Sequence, residues 1–260
     1  MNTQDLAAAL DAAREAAAAA AEILRHYWTH GVAVEVKADA TPVTAADREA
    51  EGAIRSILKA ALPQAAIYGE EFGFDGERGE FLWLVDPLDG TKSFVRRTPF
   101  FSTQIALMQG DELVLGVSCA PLYGETMWAS VGSGAWIDGV RATVADISEL
   151  GEASISTGNI KTLTADARWD VLGTLIRDSN RIRGYGDFCH YHLLARGSLD
   201  LVLESDVNIL DIAALAVIVR ESGGVFTDLD GAPLTLSTRS VLAGTPAIHA
   251  QALQRLRAAR

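Results

Sequence analysis

Trp83-Leu84-Val85-Asp86-Pro87-Leu88-Asp89-Gly90-Thr91-Lys92-Ser93-Phe94 is the stretch from which the rest of the chain is best read. A hydrophobic run delivers two carboxylates, Asp86 and Asp89, across a proline that fixes the backbone. Gly90, with no Cβ, then lets the chain approach a ligand closely. A helix starting at Thr91 would aim free backbone N–H groups at an anion. Carboxylates, a backbone carbonyl and a helix N-terminus at one point are a means of holding a hard cation and a phosphate together, and magnesium takes such oxygen donors and shares them with phosphate groups.

Working back from this stretch, the pattern is helical. Leu6, Leu10, Ala13, Ala17, Ala20, Leu24 and Tyr27 alternate at steps of four and three, which predicts one face of a long packing helix that Gly31 stops. Thr44-Ala-Ala-Asp47 has the spacing of a capping box, and Ala50, Ile54, Ile57 and Leu58 continue the apolar face of a second helix to a stop near Pro63. Short strand-like runs follow at Ala66–Tyr68, Phe81–Val85, Ser102–Met108, Leu113–Ala120 and Glu125–Val131, which predict an antiparallel sheet behind the two helices.

Beyond about Ser154 strands and helices alternate. Strands are predicted at 154–157, 181–184, 199–203, 225–227 and 241–243, and helices at 165–177, 187–196, 211–222 and from 247 on. The chain thus divides into a lobe over 1–150 with the helix pair, the antiparallel sheet and most of the acidic motifs, and an α/β lobe over 151–260, within one continuous globular unit.

Two further acidic sites stand at strand ends. Ala66-Ile67-Tyr68-Gly69-Glu70-Glu71 releases two glutamates, and Asn208-Ile209-Leu210-Asp211 opens an apolar helix with an aspartate. Taken singly, Asp211 also reads as an N-cap, Glu70 and Glu71 as a solvated loop, and Asp47 as half of a capping box.

Composition narrows the partners. A net charge of −12 argues against nucleic acid, whose binding needs clustered Lys and Arg, and it would repel a phosphorylated substrate unless bound divalent metal inverts the local field. The alanine run Ala16–Ala21 is flanked by Asp11, Arg14, Glu15 and Glu22, so neither a signal peptide nor a membrane span is expected, and the cytoplasm is the expected location. Cys119 and Cys189, without partners at zinc-ligand spacing, predict neither a disulfide framework nor structural zinc.

Together Thr41-Pro42-Val43-Thr44-Ala45-Ala46-Asp47, Gly69-Glu70-Glu71, Asp86-Pro87-Leu88-Asp89-Gly90-Thr91, and Asp211 followed by Glu221-Ser222-Gly223-Gly224 resemble the inositol monophosphatase superfamily over nearly the whole chain, and within it most resemble the bacterial histidinol-phosphatases. The resemblance implies a layered α+β or α/β sandwich of alternating α-β-α-β-α layers. It implies that Glu70, Asp86, Asp89, Asp211 and the carbonyl of Leu88 hold two or three Mg²⁺ ions. Thr91 and Asp47 would orient a water nucleophile and accept its proton, while the amides of Gly90 and Thr91 hold phosphate oxygens. A homodimer is implied as well, with no nucleic-acid or membrane partner. Without cations, so many carboxylates around one point should show raised pKa values or partial disorder.

Glu204 stands seven residues before Asp211, where the superfamily places a substrate contact; as a bare residue it is equally a strand-end charge. Arg181-Ile182-Arg183-Gly184-Tyr185-Gly186-Asp187-Phe188 carries the likeness to histidinol-phosphatases. Asp187 and Glu204 would make an acidic pocket suited to an ammonium or imidazolium, both of which L-histidinol phosphate offers, although a polyol could donate hydroxyls to the same groups. Arg183 stands either near the substrate phosphate or as a structural cation, and Arg96-Arg97 either steers anions or is a solvated turn. Leu210 and Ile209 depart from the family pattern of Trp and a small residue or proline before the last acidic ligand, which bears on the pocket wall. His190 and His192 are expected to be structural, and Phe72–Gly79, rich in glycine, is a candidate lid. The competing readings are an inositol-1-monophosphatase or broad sugar-phosphate phosphatase, a nucleotide 3′-phosphatase, and a non-catalytic member of the fold that binds a protein partner.

Overall fold

The computed structural model describes residues 1–31, 34–36 and 42–258, so Thr41 of the first quoted motif lies outside the described residues. In chain order the elements are α1 (Thr3–His30), β1 (Val34–Val36), β2 (Pro42–Thr44), α2 (Ala45–Ala61), β3 (Ala66–Gly69), β4 (Gly73–Asp75), β5 (Phe81–Asp89) and α3 (Thr91–Val95). Next come β6 (Ser102–Gln109), β7 (Glu112–Ala120), β8 (Glu125–Ser130), β9 (Gly134–Ile137) and β10 (Val140–Ala142). The remainder holds β11 (Ser154–Gly158), α4 (Ile160–Leu163), α5 (Trp169–Asp178), β12 (Arg181–Arg183), α6 (Asp187–Ala195), β13 (Leu201–Ser205), α7 (Ile209–Glu221), β14 (Val225–Thr227), β15 (Ser240–Gly244) and α8 (Pro246–Ala258). Two compact units result: 1–140 with 210–218, and 141–209 with 219–260.

In the first unit α1 begins where the Asn2 side chain accepts from the amides of Gln4 and Asp5, and it ends at Gly31, whose φ of +86° carries the chain out of the helix. Its buried face is almost all alanine, which lets it lie close against α2 and the sheet. The sheet has eight strands in the order β10-β9-β8-β7-β6-β5-β3-β4. It is not wholly antiparallel: β3 pairs parallel with β5, with Gly69 opposite Val85, while β4 folds back along the other side of β3. That exception follows from sequence length, because β4 and the loop after it give the chain room to return to β5 in the same direction.

One face of this sheet, through Trp83, Val85, Ile105, Leu107, Leu115 and Val117, packs in a single core with Ala13, Ala17, Leu24, Ile54 and Leu58 of the two helices. The opposite face receives the middle of α7. A Cβ on Gly116 would stand 2.4 Å from the carbonyl oxygen of Ala214, so the absent side chain is what lets this helix seat directly on β7.

The second unit has a five-stranded sheet in the order β12-β11-β13-β15-β14, with β11 parallel to both β12 and β13 and the last two pairings antiparallel. Leu172, Leu175, Ile248 and Leu256 of α5 and α8 cover Ile155, Leu201, Leu203 and Leu242. Because side chains alternate along β13, Glu204 points the opposite way from Leu203, and it is there that Tyr191 of α6 meets it. Two helix-flanked mixed sheets are the layered α+β class that the sequence implies. Among the described residues no helix is long and apolar enough to cross a membrane, and Cys119 and Cys189 are buried thiols not joined in a disulfide.

Substituting Gly116→Ala should push α7 off the sheet and cost about 1–3 kcal/mol, as overpacked cores do. Urea denaturation of the two proteins measures it, and an unchanged midpoint would show that the helix does not rest on this glycine.

Candidate active site

The carboxylates are placed by β5 and its irregular end. The strand continues past Val85, with a register shift that sets Asp86 opposite Gln104 but Asp89 opposite Ser102. Within this bulge the Asp86 Oδ1 accepts from the amide of Leu88 at 2.9 Å, closing a turn around Pro87, and the Thr103 hydroxyl donates to the Pro87 carbonyl at 2.9 Å. Asp211 comes from the first turn of α7, and oxygens of Asp86, Asp89 and Asp211 all lie within 4.8 Å of one another. Glu70 joins them from the end of β3, its amide bonded to the Val85 carbonyl at 3.1 Å and its carboxyl hydrogen-bonded to Asp86.

Burial pushes the Asp86 carboxyl well above the ordinary carboxylate range, and the neighbouring charges of Glu70, Asp89 and Asp211 push it further the same way. Such a set is costly to assemble and consists entirely of hard oxygen donors, which fits a divalent cation of the magnesium type and does not fit a zinc or soft-metal site.

Next to this cluster, Gly90 adopts the left-handed conformation at φ +92°, and a Cβ there would stand 2.6 Å from the Phe100 carbonyl oxygen. The short helix α3 follows, and the Thr91 hydroxyl lies 3.1 Å from Asp47 Oδ1 and 3.0 Å from the carbonyl oxygen of Leu88. Asp47 Oδ2 in turn accepts from the Thr44 amide at 2.8 Å and the Thr44 hydroxyl at 2.6 Å. One oxygen of Asp47 therefore serves the capping box and the other meets Thr91, so the two contacts use different atoms and do not compete. Burial raises its pKa, with the bonds from Thr44 and Thr91 opposing that shift.

Two contributors escape a reading of single motifs. Ser102 donates to Asp89 Oδ2 at 3.1 Å, and Gln104 Nε2 donates to Ser102 Oγ at 2.8 Å. Because Gln104 fills the acceptor side of the hydroxyl, the Ser102 proton is directed at Asp89. The available signal was Ser102 and Gln104 at i and i+2, on one face of a strand that opens with three polar residues and then turns apolar.

The second unit carries the other predicted residues. Glu204 is buried, with Oε2 accepting from the Tyr191 hydroxyl at 2.6 Å and lying 3.1 Å from His190 Nε2. The other ring nitrogen of His190 is 3.3 Å from Ser156 Oγ, so this histidine is built into the interior, as is the buried His192. Asp187 opens α6 with φ +47°, and burial, followed by the charge of Glu204, lifts its pKa to about 6 against the opposing influence of His190. Arg183 is exposed and donates to the Ile182 carbonyl. In the first unit Arg96 and Arg97 form an exposed turn after α3, in which the Arg97 guanidinium lies 4.2 Å over the Trp28 ring. In the segment proposed as a lid, Gly73–Asp75 is strand β4, with Phe72 and Phe74 about half exposed.

Comparison with known proteins gives a consistent result. The profile of the inositol monophosphatase family matches residues 5–260. The histidinol-phosphatase of Streptomyces coelicolor is 41% identical over 209 residues, 77% of this chain and 78% of that protein. The histidinol-phosphatase of Mycobacterium tuberculosis is 39% identical over 207 residues, 76% and 78% of the two chains. Among solved structures, the inositol monophosphatase of Anabaena superposes with a TM-score of 0.83 at 29% identity, over 96% of this chain and 95% of that one.

The raised pKa of Asp86 has a measurable consequence in metal-free protein. A carboxyl whose folded pKa lies above its unfolded value contributes stability that is present below the unfolded pKa and lost as pH rises through the folded one. With EDTA, the wild type should therefore lose stability relative to Asp86→Asn as pH rises above the ordinary carboxylate range. Above that range the variant should melt higher than the wild type, yet gain much less from an added divalent cation. Parallel thermal melts test this; a metal-free wild type that tracks the variant at every pH would contradict it.

Proposed function

Because this chain belongs to the inositol monophosphatase family, we propose that its hydrolysis of phosphate monoesters is Mg²⁺-dependent and directed at L-histidinol phosphate, giving L-histidinol and phosphate. That it is a phosphoric monoester hydrolase goes with the family. The observation that carries the mechanism is the convergence of Asp86, Asp89 and Asp211, with Glu70 bonded to Asp86 and the Thr91–Asp47 pair alongside.

In this reading Glu70, Asp86, Asp89, Asp211 and the carbonyl of Leu88 hold two or three Mg²⁺ ions. When bound, the metal neutralises phosphate charge and makes water a usable nucleophile at neutral pH. The Thr91 hydroxyl orients the attacking water and passes its proton toward Asp47, whose raised pKa favours taking it. The amides of Gly90 and Thr91 hold phosphate oxygens, the left-handed turn at Gly90 calling for a glycine because its Cβ side is filled by Phe100 and Phe101. Positioning and charge neutralisation are most of what phosphoryl transfer requires.

Asp187 supports the substrate assignment. With its pKa near 6 it is an anion at neutral pH, suited to the ammonium or imidazolium of histidinol, and Glu204, held by Tyr191 and His190, is the second carboxylate of the proposed recognition site. Arg183 is the proposed contributor near the substrate phosphate. The names of the Streptomyces and Mycobacterium relatives support the same choice. An inositol or sugar phosphate is the second reading, favoured by the likeness to the Anabaena enzyme. A homodimer and a cytoplasmic location complete the proposal by family resemblance.

Phosphate release from L-histidinol phosphate and inositol 1-phosphate, measured side by side with Mg²⁺, with EDTA and with Asp86→Asn, tests the proposal. A strong preference for histidinol phosphate that EDTA and the variant abolish is the expected result; equal or reversed preference assigns the chain to the inositol or generalist class. The preference should also grow as pH rises through about 6, when Asp187 becomes charged. Asp187→Asn should flatten that rise and reduce the preference about tenfold or more, the worth of a hydrogen bond to a charged group. A pH profile unchanged in the variant would remove Asp187 from substrate selection.

A further inference from the structure

Asp47, Glu51 and Arg55 recur at four-residue steps along α2 and form a buried polar stripe on a helix otherwise packed with Ala46, Ala50, Ile54 and Leu58. Asp47 serves Thr91. Glu51 and Arg55 serve a different segment, the turn between β3 and β4 that carries Glu70.

The Glu51 carboxylate is fully buried. Its Oε2 accepts from the amide of Glu71 at 2.7 Å, and its Oε1 accepts from the amide of Phe72 at 3.3 Å and from Arg55 Nε at 2.7 Å. Arg55 closes the other end of the turn, with Nη2 donating to the Gly73 carbonyl at 2.6 Å and the guanidinium 5.6 Å from the centre of the Phe72 ring. At Gly69 a Cβ would stand 2.0 Å from Glu51 Oε1 and 2.9 Å from Arg55 Nη2, so the carboxylate occupies the space a side chain would need. Glu70 is thereby fixed from both sides: its own amide is tied to Val85 of β5, and the next amide is tied to Glu51.

We propose that Glu51, steadied by Arg55, is a positioning residue of this hydrolase that sets where the Glu70 carboxylate stands beside Asp86. The inference rests on the reading of Glu70 as a metal ligand. Buried ion pairs contribute little stability over an apolar pair of the same volume, whereas an outer partner that orients a ligand is commonly worth 10–100-fold in metal affinity. A placement of this kind therefore belongs with ligand geometry more than with the strength of the fold.

The test is a double-mutant cycle on the full-length protein, with Mn²⁺ as the probe and free ion measured by electron paramagnetic resonance. Glu51→Gln loses one of the two acceptor oxygens and should weaken Mn²⁺ binding about tenfold in the wild-type background. In a Glu70→Gln background the same change should have no further effect, because the group it positions is already altered. An equal loss in both backgrounds, or no loss in the first, overturns the proposal. If Glu70→Gln alone leaves Mn²⁺ binding unchanged, the ligand reading beneath it falls instead. Should Glu51→Gln not fold, Arg55→Met goes through the same cycle and is judged by the same outcomes.

Discussion

Mutual repulsion among carboxylates is the constraint on which the first unit turns. Asp86, Asp89 and Asp211 bring oxygens within 4.8 Å of one another, and Asp86 is buried besides. A chain held only by local preference would let these groups drift apart, so each is tied to something rigid. Asp86 is locked by the Leu88 amide, Asp89 by Ser102 and Gln104, Glu70 by strand pairing, and Asp211 by a helix seated on the sheet. The energy stored in this arrangement is what favours a cation there, because neutralising the cluster relieves a cost that folding has already imposed.

Three glycines show how far backbone approach governs this unit. Gly116 admits α7, Gly90 admits the Phe100 carbonyl, and Gly69 admits the Glu51 carboxylate. In each place the missing side chain is replaced by another part of the protein, so the glycine acts less through flexibility than through space. The bulge at Pro87 does the complementary work: by shifting register between Asp86 and Asp89 it sets one carboxylate opposite Gln104 and the other opposite Ser102.

The second unit uses its polar interior differently. His190, Tyr191 and Ser156 form a connected network around Glu204 on the face of the sheet covered by α6, while the opposite face is filled with leucine and isoleucine. A buried carboxylate is costly without hydrogen-bond partners, and here a hydroxyl and an imidazole both meet Oε2 of Glu204. Asp187, at the start of the same helix and near the charge of Glu204, is left with a pKa near 6. Small changes in this network would alter the charge on Asp187.

Much of this was legible in the residues. The capping spacing Thr44 to Asp47, the helix ending at Gly31, five of the eight strands of the first sheet and the alternation after Ser154 follow from local periodicity and turn chemistry, and the acidic motifs identified the family, while the short strands β4, β9 and β10 were not read. The parallel pairing of β3 with β5, the seating of α7 through Gly116, the Glu51–Arg55 clamp and the hydroxyl relay to Asp89 were not legible. A single sequence records which side chains are polar and how they recur along their own element. It does not record which strand or turn will lie across from them, and a hydrogen bond between residues far apart in the chain exists only once that pairing has been made. Residue chemistry and local order were thus determined by the sequence alone, while the pairing of distant groups into a site was decided by tertiary packing.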